Sequence, residues 1–229
     1  MVNTDKIYTE VWNIIFKNYN FNYTVDADFF NNFIKGKNDS LFLNYLLPNL
    51  EKQLVIDISN MKDSLFIQLL KSRNENILLQ GVLDFFEKNK NRRIAIVTSC
   101  NRKSALYILE YTGLNNYISM LIASEDCMQH KPNPEPYLNA IRLLNLNKDK
   151  TIIFEDSYSG YTSARNTNVF KIILISSKES CIDIRNANEY KIKDYCNFDI
   201  DSQIINTLVK VNPICDIIKN HLFSLFPLK

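Results

Sequence analysis

Three short stretches of this chain carry residue types that could do chemistry together. Ile94–Arg102 places Thr98 and Ser99 directly after an apolar run. Hydroxyls there, with the N–H groups at the start of a following helix, can hold a phosphate; the same residues could simply cap that helix. His130–Pro136 holds three of the chain's six prolines and presents Lys131 ahead of another helix. Proline fixes φ, so the loop is stiff, and a lysine held in it is a point charge for a phosphate. The alternative is a surface lysine beside a rigid turn. Thr151–Gly160 sets two adjacent carboxylates, Glu155 and Asp156, at the end of an apolar run. Acids so placed need a positive partner, and Mg2+ with oxygen ligands suits them. The start of a helix, whose dipole favours negative charge, would suit them as well.

The surrounding pattern says what positions these groups. Short apolar runs at Arg93–Val97, Met120–Ala123, Thr151–Phe154 and Lys171–Ile175 alternate with helical spacing at Val82–Lys88, Lys103–Tyr111, Pro134–Leu144 and a stretch through Ser163. Strands alternating with helices of this length indicate βαβ units and a parallel, Rossmann-like α/β sheet. Ligands of such sheets bind beyond the carboxyl ends of the strands, which is where all three stretches fall. Gly113 sits where a left-handed helix C-cap belongs. Residues 5–75 differ: Ile7, Val11, Ile14 and Ile15, then Phe29, Phe30, Phe33 and Ile34, then Leu41–Leu46 and Leu65–Leu70 recur at helical spacing with no strand of good quality. Two domains are expected, an all-helical one over 5–75 and an α/β one over 76–229. The latter's end, from Ser202, returns to helical spacing, and the apolar tail Ile214–Leu228 is expected to pack on the core.

Composition narrows the function classes. The 229 residues exceed one ordinary domain of roughly 100–200 residues, and 46 % hydrophobic with 23 % charged residues excludes wholesale disorder. A formal net charge of +2 lacks the basic stripe of a nucleic-acid binder. No apolar stretch approaches the ~18 residues of a membrane span, and no signal peptide is visible. Five cysteines (100, 127, 181, 196, 215) form no Cys-x-x-Cys pair, which suits a reducing, cytoplasmic setting without structural zinc. A monomer is expected, with neither nucleic acid nor membrane as a partner.

A hydroxyl strand end, then Lys131-Pro-Asn-Pro, then Phe154-Glu-Asp-Ser-Tyr-Ser-Gly160 resembles motifs two to four of the haloacid dehalogenase (HAD-like) superfamily, in the β-phosphoglucomutase and phosphoglycolate phosphatase subgroup. The resemblance runs from about Asn3 to Ile175. It implies an Mg2+-dependent phosphohydrolase or phosphomutase of small phosphorylated metabolites, with Thr98 contacting the phosphoryl group and Lys131 neutralising it. Glu155 and Asp156 would hold Mg2+. Ser99 would belong to the substrate site, and the helical domain would be a cap whose Lys35-Gly36-Lys37 resembles the segment that screens substrates. Gln80-Gly81-Val82 resembles the family's Pro-Gly-Val opening of the core.

One motif has no match in these residues. The family's nucleophile lies in Asp-x-Asp-Gly-x-x-x-(Asp/Asn)-(Ser/Thr)-(Glu/Asp) on the first, central strand, and Val2-Asn3-Thr4-Asp5 resembles only its last four positions. The nucleophile and the acid/base aspartate would fall upstream of Met1; Asp5 is no substitute, since the pattern places it at the start of the cap. Losing a covalent nucleophile costs on the order of 10⁴–10⁶ in rate, so residues 1–229 alone are expected to be inactive, with Mg2+ weakly bound or absent. The missing strand belongs between 94–97 and 151–154. Its loss is expected to bring those two strands into direct pairing or to leave a poorly behaved protein. Met1 as an internal methionine of a longer reading frame, a pseudoenzyme that keeps a phosphate or metal site, and an interaction protein using the tail are the three readings. The cap residues do not single out one phosphorylated substrate.

Overall fold

The computed structural model describes residues 1–175, 188–196 and 198–202. They fall into two compact units, Met1–Cys196 and one starting at Asn197. In the second, Asp199 organises a turn by accepting from the Ser202 hydroxyl at 2.5 Å and the Asp201 amide at 3.1 Å. The expected C-terminal helix beyond Ser202 and the tail Ile214–Leu228 lie outside the described residues.

The first unit begins with helices. α1 (Asp5–Asn18), α2 (Ala27–Phe29) with a wider π-type turn at Phe30–Ile34, α3 (Asp39–Leu46) and α4 (Lys52–Arg73) bury their apolar stripes against one another. Aromatic side chains dominate the contact: Tyr8 stacks on Phe66 with centroids 4.3 Å apart, and Trp12 meets the edge of Phe42 at 4.6 Å. Asp26 and Asn38 start α2 and α3 by accepting from the Phe29 and Ser40 amides, the ordinary use of Asx residues at helix N-termini.

The α/β part follows in the expected order: α5 (Val82–Lys88), β1 (Ala95–Val97), α6 (Arg102–Thr112), β2 (Met120–Ile122), α7 (Glu135–Leu143), β3 (Ile152–Glu155), α8 (Tyr158–Arg165) and β4 (Lys171–Ile175). Gly113 closes α6 with φ 72°. A further strand, β5 (Glu189–Ile192), was not anticipated. All pairings are parallel, with Val97 opposite Ile122, Glu155 opposite Leu174, and Ile175 opposite Ile192.

The five strands do not form one sheet. β1 and β2 make one, and β3, β4 and β5 make another. The expected direct pairing of 94–97 with 151–154 is therefore corrected: β1 and β3 stay apart. α7 packs its Tyr137 and Ile141 in one apolar cluster with Val97 of β1, Ile153 of β3 and Leu174 of β4, so side-chain packing on a shared helix joins the two sheets where no ladder does. α6 leans the other way, setting Tyr107, Ile108 and Tyr111 against the helical core. The start of the chain pairs with the passage from the helical to the α/β part: Val2 bridges Leu78 in antiparallel sense, and the Asn3 amide donates to Ile77 O at 2.7 Å.

Candidate active site

Two of the sequence-selected groups, Lys131 and Glu155, meet where β1 and β3 end. Lys131 is buried, and its ammonium donates to the carbonyl of Val97 at 3.1 Å, the hydroxyl of Tyr137 at 2.9 Å and Glu155 Oε1 at 2.5 Å. An ammonium has three donors, so Lys131 spends all of them, and in doing so it ties the end of one sheet to the end of the other. Tyr137 also donates to Glu155 Oε1; burial, and then the Glu155 charge, push its phenol well above the ordinary tyrosine range.

The other oxygen of Glu155 is equally engaged. Oε2 accepts from the amides of Asp156 and Ser157 at 3.1 and 3.4 Å and from the Ser157 hydroxyl at 3.2 Å. That hydroxyl in turn accepts from the Gly160 amide at 3.0 Å, starting α8. Gly160 is required by proximity: a Cβ there would lie 2.1 Å from the Glu155 carboxylate. Glu155 is thus committed to Lys131 and α8, while Asp156 leaves its side chain 48 % exposed.

The helical part reaches the same place. Gly36, at φ 72°, brings its Cα so close to Ser157 that a Cβ would meet Ser157 Oγ at 2.3 Å. No side chain fits there. Its carbonyl accepts from the Ser99 hydroxyl at 3.1 Å. Lys35 lies between Asp5 at 3.0 Å and Asp156 at 3.3 Å. Burial works against its charge, but Asp156 and Asp5 outweigh burial and hold it above the ordinary lysine range. The α-amino group of Met1 sits near Asp156 and Glu155, where burial holds it below the ordinary α-amine range.

Thr98 accepts from the Cys100 amide at 3.1 Å, a local turn that leaves its O–H free to donate. Lys37 is not brought in: it donates to Asn32 O at 2.6 Å and lies over Phe33. The N-terminus of α6 is already served, since both oxygens of Glu125 accept from the Arg102 amide at 2.9 and 3.0 Å.

Magnesium prefers about six oxygen ligands. Among the described residues no three His, Cys, Asp or Glu side chains group as metal ligands. With Glu155 spent on Lys131 and Asp156 half-exposed but paired with Lys35, the described residues do not make a magnesium site by themselves. Lys35 and Lys131 against Asp5, Glu155 and Asp156 sum to one formal negative charge.

Sequence reasoning missed Tyr137, Ser157 and the role of Asp5 as partner of Lys35. Ser157 had a visible signal, a serine three residues before Gly160 at a strand–helix junction. Tyr137 had none, because its reach to Glu155 depends on the approach of α7 to the strand ends.

A family model described as haloacid dehalogenase-like hydrolase matches residues 1–174. The phosphorylated carbohydrates phosphatase of Thermotoga maritima is 28 % identical over 177 residues, covering 75 % of this chain and 79 % of that protein. Protein CbbY of Rhodobacter capsulatus is 26 % identical over 145 residues, 61 % and 63 % of the two chains. Among solved structures, β-phosphoglucomutase from Clostridium difficile superposes with a TM-score of 0.78 at 16 % identity, over 92 % of this chain and 94 % of that one. At that identity the likeness concerns the fold. No helix among the described residues is long and apolar enough to cross a membrane.

Proposed function

The chain belongs to the haloacid dehalogenase-like hydrolases, and from that premise we propose that residues 1–229 form the phosphoryl-binding part of an enzyme acting on a small phosphorylated metabolite, without the carboxylate that would attack the phosphorus. The observation that carries this is Lys131 spanning the ends of β1 and β3, with Gly36 and Lys35 closed over them. A phosphoryl oxygen replaces the Val97 carbonyl on Lys131, since a charged acceptor makes the stronger hydrogen bond. Thr98 donates its free hydroxyl to the same group. Glu155 and Tyr137 hold the ammonium in place, and Lys35 leaves Asp156 to meet the substrate from above. Residues 5–75 serve as the cap and the remainder as the core.

Hydrolysis through a covalent intermediate needs a carboxylate nucleophile. Asp5 is paired with Lys35 at the start of α1, and Glu155 is paired with Lys131, so neither is available for attack. The name of the Thermotoga relative supports a phosphorylated carbohydrate as substrate class. The second reading, a phosphate-binding module without turnover, fits the same geometry. Titration of residues 1–229 with inorganic phosphate, followed through backbone amide resonances, tests the binding claim. Saturable shifts at Thr98, Ser99 and Lys131 are expected; a titration that moves none of them defeats it.

A further inference from the structure

The segment that carries Thr98 and Ser99 is held from outside by the helical part, and its strongest anchor is a buried carboxylate that no motif contains. Asp63, on α4, is 3 % exposed. Its Oδ1 accepts from the Ser104 hydroxyl at 2.8 Å and its Oδ2 from the Asn101 side-chain amide. Lys62 offsets its charge at 3.1 Å and is shared with Asp39 at 2.6 Å. Burial disfavours the Lys62 charge, yet Asp39 and Asp63 hold it above the ordinary lysine range.

A buried charge cluster is a costly way to join two helices, because apolar side chains of similar size usually serve as well or better. What apolar side chains could not do is grip Asn101 and Ser104. Asn101 precedes α6 and makes no side-chain cap of its own helix; its amide is turned to Asp63 instead. Next to it, Cys100 Sγ meets the Tyr8 hydroxyl at 3.6 Å, and the Ser99 hydroxyl meets Gly36 O. Every residue from 99 to 101 is therefore tied to the helical part, and Thr98 is folded onto Cys100.

We propose that Asp63 is a positioning residue of the phosphoryl site, fixing the Thr98–Asn101 turn through Asn101 and Ser104. The proposal rests on the phosphoryl-site reading above. Asp39 supplies the control, since it shares Lys62 with Asp63 but touches neither Asn101 nor Ser104 in the described contacts.

The test compares Asp63→Asn with Asp39→Asn by titrating inorganic phosphate against backbone amide resonances. Asp63→Asn is expected to shift Thr98–Asn101 before any phosphate is added and to weaken phosphate binding about tenfold or more, as loss of a hydrogen bond to a charged group does. Asp39→Asn is expected to leave both unchanged. Equal effects of the two variants, or an unchanged affinity in folded Asp63→Asn, overturn the proposal. Should Asp63→Asn fail to fold, Asn101→Ala removes the contact from the other side and is expected to weaken phosphate to a similar degree; an unchanged affinity there overturns it. A parent protein that does not respond to phosphate defeats the phosphoryl-site reading instead. Hydrogen exchange at 98–101 then decides the positioning role, faster in Asp63→Asn alone if it holds and no different from Asp39→Asn if it does not.

Discussion

The helical part and the α/β part of this chain are held together by different physics. The helical part has one continuous apolar core, with Trp12, Phe16, Ile58, Phe66 and Leu70 fully buried. The α/β part has its strands divided between two sheets, and where they part a buried ion pair takes the place of a ladder: Lys131 joins the Val97 carbonyl to Glu155. Apolar packing tolerates graded change, whereas a buried charge pair is sensitive to the loss of either member. The seam that this pair holds is also where the functional groups meet.

The comparison can be broken most directly at Lys131. Lys131→Met strands the Glu155 carboxylate in a buried site and is expected to cost about 3–5 kcal/mol in urea unfolding, with only part of that recovered in Lys131→Met/Glu155→Met, because Glu155 also accepts from the Asp156 and Ser157 amides. No recovery in the double variant would show that the pair does more than join the sheets. On the helical side, Phe66→Ala is expected to cost a similar amount, about 3–5 kcal/mol, through the cavity it leaves beside Tyr8. Its effect is expected to leave Lys131 unmoved and to reach the Thr98 turn only through Tyr8, whose hydroxyl meets Cys100, and amide spectra of the folded variant check this. Gly160→Ala crowds the Glu155 carboxylate and is expected to cost about 1–3 kcal/mol, with the largest resonance changes at Ser157 and Lys131. A thermal melt indistinguishable from the parent would contradict the close approach.

The smallest effect is expected where the halves meet in solvent. Lys35→Ala removes a pair whose acids are each more than a third exposed, worth at most about 1 kcal/mol. Its pH dependence has a definite sign. The folded value of Lys35 is raised, so its contribution is fully present below the unfolded value near 10.5 and is lost as pH climbs through the folded one. The difference in stability between parent and Lys35→Ala should therefore persist through neutral pH and shrink as pH climbs through the folded lysine value. A difference that instead vanishes between pH 9 and 7 would mean the pair is not formed.

Much of this arrangement was legible in the sequence. Val82–Lys88 and Lys171–Ile175 were read to the residue, and Thr98, Lys131 and Glu155 were placed at strand ends that do converge. The errors share a cause, polar residues that find partners only in three dimensions. α4 was read as Leu65–Leu70, but it runs over 22 residues. Lys62 falls in the four-residue series Ile58, Lys62, Phe66, Leu70 and breaks the apolar stripe, yet it is buried there because Asp39 and Asp63 neutralise it. A charge on an apolar stripe was the visible sign of the cluster. β5 was missed for the same reason: Glu189 opens it, and its burial is met by the Tyr161 hydroxyl at 2.7 Å and Arg165 at 3.1 Å. The separation of β1 from β3 was not legible either, since strand pattern says nothing of which strands become neighbours.

Among the described residues, the carboxylates beside the proposed phosphoryl site are already engaged, Asp5 with Lys35 and Glu155 with Lys131. Hydrolysis of p-nitrophenyl phosphate by this chain with Mg2+ present, measured beside its Asp156→Ala variant, tests the proposed function most directly. No turnover that Asp156→Ala removes is expected; turnover present in the parent and abolished in Asp156→Ala overturns the proposed function.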